Sequence, residues 1–512
     1  MLKRLLCLAL VMMLALTLSG CRSSLESVRT ASTLPPAASA FDAPTGDAAL
    51  QYSQATPLYL PSRNGQRLLA VYELLSFSHG RSGAEGIARA LLAHGATADT
   101  RAAGNGVQLG LFGPNPVEVS GGVCTVNLNS SALQLSHEDF YALAMSLATT
   151  LCATEDVHYV NVLVADQAVG MDITGTLPLG SLTAAPGEEL PVLWEQLEAR
   201  RTPLGENPAD TPLTSVATLY FPLADGTGVV AETRNLSFDG QSPAQLASGL
   251  LAALSAGPQY LSGVCDMPNI GLLMSAAPQV ISLDDGGRMV SLYFHVNLAE
   301  MLRQSNVDLA CFVSSLTHTL ASYIPSVSSV RIYVGETPIT SLYNVSHGSL
   351  LFPGGLIHRS DFSGYLMSQT TLYLSSGSRL KTTLRAMPCH DARSPRALML
   401  RLMAGPTQQE LDQGLEPVLP EGLTDADLLG VALVGDTLLV NLSDRCAELI
   451  RTEAAGWESV ACYSMVNTLG DALGVKRVRF FFGGEVLEEL GGTLYWGGEF
   501  LVNPGLIDHP LG

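Results

Sequence analysis

Residues 217–238 read ATLYFPLADGTGVVAETRNLSF, and their pattern recurs nearer the start of the chain. Residues 56–77 read TPLYLPSRNGQRLLAVYELLSF, with Leu58-Tyr59 standing where Leu219-Tyr220 stands. Leu75-Ser76-Phe77 likewise matches Leu236-Ser237-Phe238. A third copy opens at TTLYL, where Leu372-Tyr373 takes the same place. Two alternating runs meet at turn-forming residues, so each copy is predicted to open with a β-hairpin.

A helix is expected next in each copy. In the second it covers SPAQLASGLLAALSAGP, with Ser242 as N-cap, Pro243 in the first turn and Gly257-Pro258 as the stop. SPRALMLRLMAGP repeats that punctuation with Ser394, Pro395, Gly405 and Pro406. The first copy, GAEGIARALLAHG, keeps the apolar face but lacks the Ser-Pro start. Leu250, Leu251 and Leu254 read as core.

A second strand pair follows, and Val-Asn-Leu recurs at 126–128, 296–298 and 440–442. A second helix then carries SLATTL, SLTHTL and SMVNTL, with Ser146, Ser315 and Ser464 four residues before Thr150, Thr319 and Thr468. Residues i and i+4 share a helix face, so each pair forms a small polar stripe. It is expected to bond back to its own helix carbonyls or to let helix and sheet approach. A polar partner-binding face is the functional alternative. Each copy closes on a strand beginning at Val160, Val330 or Val478.

The copies therefore read β-β-α-β-β-α-β, an α+β fold of three tandem repeats, each a small mixed or antiparallel sheet with two helices. The boundaries expected are 56–177, 215–342 and 367–512, the last with a C-terminal extension. Segments 178–214 and 343–366 read as linkers, with a short helix at VLWEQLEARR. Residues 22–55, rich in Ala, Ser, Thr and Pro, read as a flexible tether.

Residues 1–21 read as an export signal. Lys3 and Arg4 precede an apolar run too short to span a bilayer, which ends in Leu18-Ser19-Gly20-Cys21. That ending resembles the lipobox of bacterial lipoproteins, in which the Cys21 thiol receives a diacylglyceryl group. The expectation is a chain lipid-anchored to the outer face of the cytoplasmic membrane. Seven cysteines remain beyond Cys7 and Cys21, an odd number that cannot all pair within one chain. No CxxC occurs, and most are expected to be buried thiols. The formal net charge of −20 argues against nucleic acid as a partner, since phosphates are held by clustered Lys and Arg.

The LYF strand, the Ser-Pro helix ending in Gly-Pro, the Val-Asn-Leu strand end and the Thr-Leu helix before VRIYV together resemble the GerMN domain. That family is named for sporulation- and germination-associated lipoproteins of endospore formers. Its domains are similar to ring-building motifs, which implies a scaffold or assembly role, with envelope or sporulation proteins as partners and self-association into rings. It also implies a place in the space between forespore and mother cell. Three units here, against two in the founding lipoproteins, mark a departure from the family pattern.

Enzyme readings start from YFHVNLAE at 293–300, where His295, Asn297 and Glu300 lie close together. The other copies place Thr125 and Leu439 at His295, and Ser130 and Asp444 at Glu300; only the Asn is shared. Asn127, Asn297 and Asn441 are expected to satisfy backbone groups where strand turns to helix. Cys389-His390 reads as a loop, and His318, matched by unrelated residues in the other copies, as exposed. No GxSxG, HExxH or Walker loop occurs. The chain is expected to be no enzyme, with no catalytic or metal-binding residues and no cofactor. A wall- or ligand-binding envelope lipoprotein, or a hydrolase with an unrecognised site, are the alternatives.

Overall fold

A computed structural model describes residues 42–46, 51–78, 83–154, 156–173, 175–200, 211–284, 286–453 and 456–508. The chain divides into Met1–Ala43 and Pro44–Gly512, and all three repeats belong to the second unit. The export segment and lipobox, with Leu18, Ser19, Gly20 and Cys21, lie outside the described residues.

Repeat 1 opens with the antiparallel hairpin β1 (Gln51–Pro61) and β2 (Leu68–Ser78), followed by α1 (Gly83–Ala93). Strands β3 (Val117–Ser120) and β4 (Val123–Leu128) lead through helix α2 (His137–Leu151) to β5 (Tyr159–Val164) and β6 (Gln167–Ala168). The sheet order is β3-β4-β5-β6, and β4 and β5 run parallel because α2 carries the chain back between them. Helix α3 (Leu190–Ala199) follows, matching the helix expected at VLWEQLEARR.

Repeat 2 runs through β7 (Leu213–Pro222), β8 (Val229–Phe238), α4 (Pro243–Ser255), α5 (Ile270–Leu273), β9 (Met274–Ser282) and β10 (Arg288–Phe294). Then come α6 (Leu298–Gln304), α7 (Leu309–Ala321), β11 (Val327–Val334) and β12 (Thr337–Pro338). A small hairpin, β13 (Ser341–Asn344) with β14 (Gly348–Leu351), is added after it. Repeat 3 has β15 (Met367–Ser376), β16 (Arg379–Pro388), α8 (Pro395–Met403), α9 (Gln408–Asp412), β17 (Leu428–Val434) and β18 (Thr437–Leu442). It closes with α10 (Asp444–Thr452), α11 (Trp457–Leu473), β19 (Arg477–Phe482) and β20 (Phe500–Leu501). The sheet orders β9-β10-β11-β12 and β17-β18-β19-β20 repeat that of the first copy, each with a central parallel pair. The fold is α+β, and each repeat has its own apolar core. One refinement concerns the opening hairpin, which in every copy stands apart as a two-stranded sheet.

The first helices form for the reasons read from sequence. Ser242 accepts from Gln245 N in a capping box, Pro243 occupies the first turn, and Gly257 follows at φ 76°. Ser394 caps α8 on Ala397 N, and Gly405 stands beyond its end at φ 71°. Strand-borne arginines secure both helix ends: Arg234 Nη2 donates to Gly257 O and Arg385 Nη2 to Gly405 O, where a cation meets the helix dipole. Repeat 1, without the Ser-Pro start, ties the same two elements through Glu73 and His94 at 3.0 Å.

The Ser–Thr stripes have a use beyond those expected. Thr150, Thr319 and Thr468 accept from the backbone N–H of Tyr59, Tyr220 and Tyr373, at 2.9, 3.1 and 3.3 Å. Ser315 and Ser464 donate to the carbonyls of Tyr220 and Tyr373, each at 2.5 Å. An outer strand leaves alternate backbone groups unpaired, and these hydroxyls occupy the place of a third strand. The recurrent Leu-Tyr and Ser-x-x-x-Thr motifs are thus two halves of one clip between hairpin and crossover helix. Ser146 is the exception: its Oγ is buried without a partner among the described residues.

Val-Asn-Leu marks the same position in only two copies. Asn127 and Asn441 lie inside β4 and β18, opposite Leu163 and Phe481. Asn127 Nδ2 donates to Asp166 Oδ1 at 2.6 Å and its Oδ1 accepts from Asp166 N; Asn441 Oδ1 accepts from Gly484 N. In repeat 2 the strand ends at Phe294, and the parallel register puts Tyr293 where those asparagines stand. Asn297 is an exposed residue preceding α6 without a side-chain cap bond, so the motif there is a coincidence of sequence.

Segments read as linkers and tether pack onto the repeats. Phe352, Phe362 and Tyr365 are buried, and Ile357 pairs with Val330. Ser181 N donates to Val216 O, while Leu182 and Val160 exchange backbone bonds. Trp194 of α3 packs edge-on against Tyr141. Residues 44–46 lie along β17, and β1 already begins at Gln51. Composition signals connectors, but aromatic residues within 343–366 supply enough apolar surface to fold down.

Candidate functional site

A buried polar constellation lies where the three repeats meet. Ser120, at the end of β3, donates from Oγ to Met367 O at 2.5 Å and accepts from Ala231 N at 3.1 Å, so one hydroxyl touches all three copies. The next residue, Gly121, has no room for a side chain, since a Cβ would meet Ala231 O. Beside it Glu118 and Arg359 form an ion pair at 2.9 Å, both almost fully buried. Arg359 also donates to Ser322 Oγ at 3.3 Å and faces Asp166 at 4.0 Å. Burial pushes the Glu118 carboxyl up and Arg359 opposes that, while Glu118 helps hold Arg359 charged. A second network joins Asn161 and Ser181 of the first repeat and its connector to Thr218 and Thr233 of the hairpin β7–β8.

His318 belongs to this interior. It is fully buried, its ring 5.1 Å from that of Tyr220, with Nε2 at 3.3 Å from Phe362 O. The expectation of an exposed histidine fails because the whole polar side of α7 faces protein; Thr149 and Asn467, its counterparts, are buried too. Its Nδ1 and the Tyr220 hydroxyl have no hydrogen-bond partner among the described residues. Burial lowers the His318 pKa to about 3, so the ring is neutral at physiological pH. The unfolded chain titrates near 6.5 and binds a proton that the fold rejects, so stability is full above 6.5 and falls as pH drops towards 3. Acidification from pH 7 to 5.5 should therefore cost about 1 kcal/mol through this residue. His318→Asn, the residue found in repeat 3, should flatten that slope in urea titrations at the two pH values.

The stretch that suggested chemistry does not assemble a site. His295, Asn297 and Glu300 are all exposed, and Glu300 is engaged by Arg303 at 2.7 Å and Gln304 at 3.0 Å. Cys389 is half-buried beside the junction, while His390 points to solvent near Asp391. Cys124, Cys265, Cys311, Cys446 and Cys462 are buried free thiols, and burial holds each above the ordinary thiol range. Among the described residues no cluster of three His, Cys, Asp or Glu could hold a metal ion. Nor is any helix among them long and apolar enough to cross a membrane.

One open groove of about 280 Å³ lies in repeat 2, lined by Leu298, Leu309, Val334, Ile339 and Leu342 among others, with no titratable side chain. Exposed apolar residues lie on the same repeat, Val296 beside Gly335 and Tyr343 and Leu351 on the β13–β14 hairpin. Such surfaces suit protein contacts better than bond-making chemistry. None of them carried a sequence signal, because exposure of an apolar side chain is decided by what packs against it.

Comparison with known proteins adds a family. Residues 371–488 match the Germane family, described as sporulation and spore germination, and the match falls within repeat 3. Among solved structures, the tandem GerMN domains of the sporulation protein GerM from Bacillus subtilis are 18% identical, covering 56% of this chain and 96% of that one, with a TM-score of 0.21. A protein described as a candidate lipoprotein from Clostridium perfringens is 20% identical, covering 26% of this chain and 87% of its own, with a TM-score of 0.19. Comparison with curated proteins returns no match.

Proposed function

We propose that this protein is a non-enzymatic, lipid-anchored scaffold of sporulation or spore germination, acting outside the cytoplasmic membrane through its three packed repeats. The observation that carries this reading is the Germane match over residues 371–488. The buried polar junction supports it by joining the repeats into one body, and the apolar surfaces of repeat 2 supply contact area. Partners are other envelope or sporulation proteins, further copies of the chain among them. The anchor is the diacylglyceryl group on Cys21, after removal of residues 1–20.

A fluorescent fusion followed through sporulation tests the role. Enrichment at the forespore is expected, and even signal around vegetative cells with no change on sporulation would refute it. Cys21→Ala should move the protein from the membrane to the soluble fraction; retention on the membrane would remove the anchor from the reading.

A further inference from the structure

The side of the repeat 2 sheet turned away from its core gathers two tyrosines and a cation. Val330 and Ile332 belong to the core, so Arg331 and Tyr333 lie on the opposite face of β11. Tyr293 stands beside Tyr333 in the parallel register, the two rings stacked at 5.1 Å and 10°. All three side chains are half-buried. The Nε of Arg331 is buried without a hydrogen-bond partner among the described residues. Every other buried or half-buried arginine among them has a carboxylate, a carbonyl or an aromatic ring against it. A guanidinium N–H taken out of water without an acceptor is unfavourable, and the group that suits it best is an anion.

The equivalent face of repeat 1 shows what such a sheet receives. There Asn161 holds the place of Arg331, and its Nδ2 donates to Thr218 Oγ1 at 3.1 Å. Thr218 sits on β7, paired across the hairpin with Thr233, while Tyr220 and Ala231 of the same hairpin pack with Val123. A β-hairpin from a different repeat thus lies over that sheet. In repeat 3 the face is closed as well: Asn441, at the place of Tyr293, donates to the carbonyl of Pro44, and Leu439 and Phe481 are buried.

We propose that the Tyr293, Arg331 and Tyr333 face is the seat for a β-hairpin of another protein, laid as β7–β8 lies on repeat 1, with an Asp or Glu of that hairpin on the Arg331 guanidinium. Apolar side chains of the hairpin rest on the tyrosine rings, and the carboxylate takes the place that Thr218 has over Asn161. A second copy of this chain does not bring that acid. Its hairpins β1–β2 and β15–β16 put Pro57 and Thr371 at the position of Thr218, opposite Tyr72 and Leu384. Seating either one would cover Arg331 and leave it unpaired. The inference rests on the scaffold reading, since it gives the chemistry of one partner that such a scaffold holds.

The probe is a backbone-cyclised peptide that copies residues 216–221 and 230–235, joined at both ends by D-Pro-Gly turns. It is made in two forms, one with Thr218 kept and one carrying Thr218→Glu. Titrated into the full chain, the Thr218→Glu form should bind about tenfold tighter, the worth of one hydrogen-bonded charge pair. The Arg331 Nε–H resonance should shift on binding, and its exchange with water should slow. Arg331→Met should leave the two forms equal in affinity, with thermal unfolding showing that the variant is folded. Tyr333→Ala should weaken both forms alike. Equal affinity of the two forms for the unaltered chain overturns the seat, as does binding by neither, or a preference that survives Arg331→Met. The spore role fails separately: a fusion that never enriches at the forespore refutes that role and leaves the titration as it was.

Discussion

Arg359→Met should lower the unfolding free energy by about 3–5 kcal/mol, the usual cost of breaking a buried ion pair from one side. Methionine fills much of the same space, so the loss comes from Glu118, left charged and unpaired in an interior position. The effect should depend on pH with a defined sign. Without Arg359, burial and then the nearby Asp166 charge push the Glu118 carboxyl further up, with His390 opposing them, from a position already above its usual range in the intact pair. An acid whose folded pKa is raised is tolerated in its protonated form. The variant should therefore be least impaired below about pH 4.5 and increasingly impaired as pH rises. Adding Glu118→Gln should recover a large part of the loss at neutral pH, since an amide carries no charge to bury. Urea denaturation of the two single variants and the double variant, at pH 4 and 7, closes the cycle. A loss under 1 kcal/mol for Arg359→Met would mean that water reaches the pair.

The second large effect is expected from the clip in repeat 2. Thr319→Val with Ser315→Ala removes both partners of the Tyr220 backbone at little change in volume. A buried donor and a buried acceptor are then left unsatisfied at about 1–3 kcal/mol each, giving roughly 2–6 kcal/mol together. Repeat 1 provides the control. Ser146 has no hydrogen-bond partner among the described residues, so Ser146→Ala should be neutral or slightly stabilising. Thr150→Val loses its bond to Tyr59 N and should cost about 1–3 kcal/mol. Thermal unfolding of these variants separates the clip from a mere need for small side chains. If Ser146→Ala destabilises as much as Thr150→Val, the packing explanation is the better one.

The order of strands and helices was legible in the sequence because each element carries local marks. Alternation shows a strand, and Ser-Pro with Gly-Pro shows where α4 and α8 start and stop. The clip was half legible: Leu-Tyr and Ser-x-x-x-Thr were each visible as repeated motifs, but their meeting joins residues 91 to 99 positions apart. Glu118 and Arg359 gave no sign, being separated by 241 positions and matched by nothing in the other copies. Position 297 misled because three letters agreed where strand length did not, and Tyr293 keeps the register instead. His318 misled through variation among the copies, which reports that a side chain is replaceable and is silent about whether it is buried.

Ser120 touches all three repeats through one hydroxyl, and that contact changes how the molecule meets others. Repeats joined by slack linkers would search independently, and each new engagement would carry its own ordering entropy. Repeats fixed against each other act as a template with set spacings. A multivalent partner whose binding elements match those spacings gains the full effective concentration of the later contacts, while one that mismatches them gains none. In the scaffold proposed above, selectivity for partners would reside in distances between surfaces, strict even where each surface alone binds weakly.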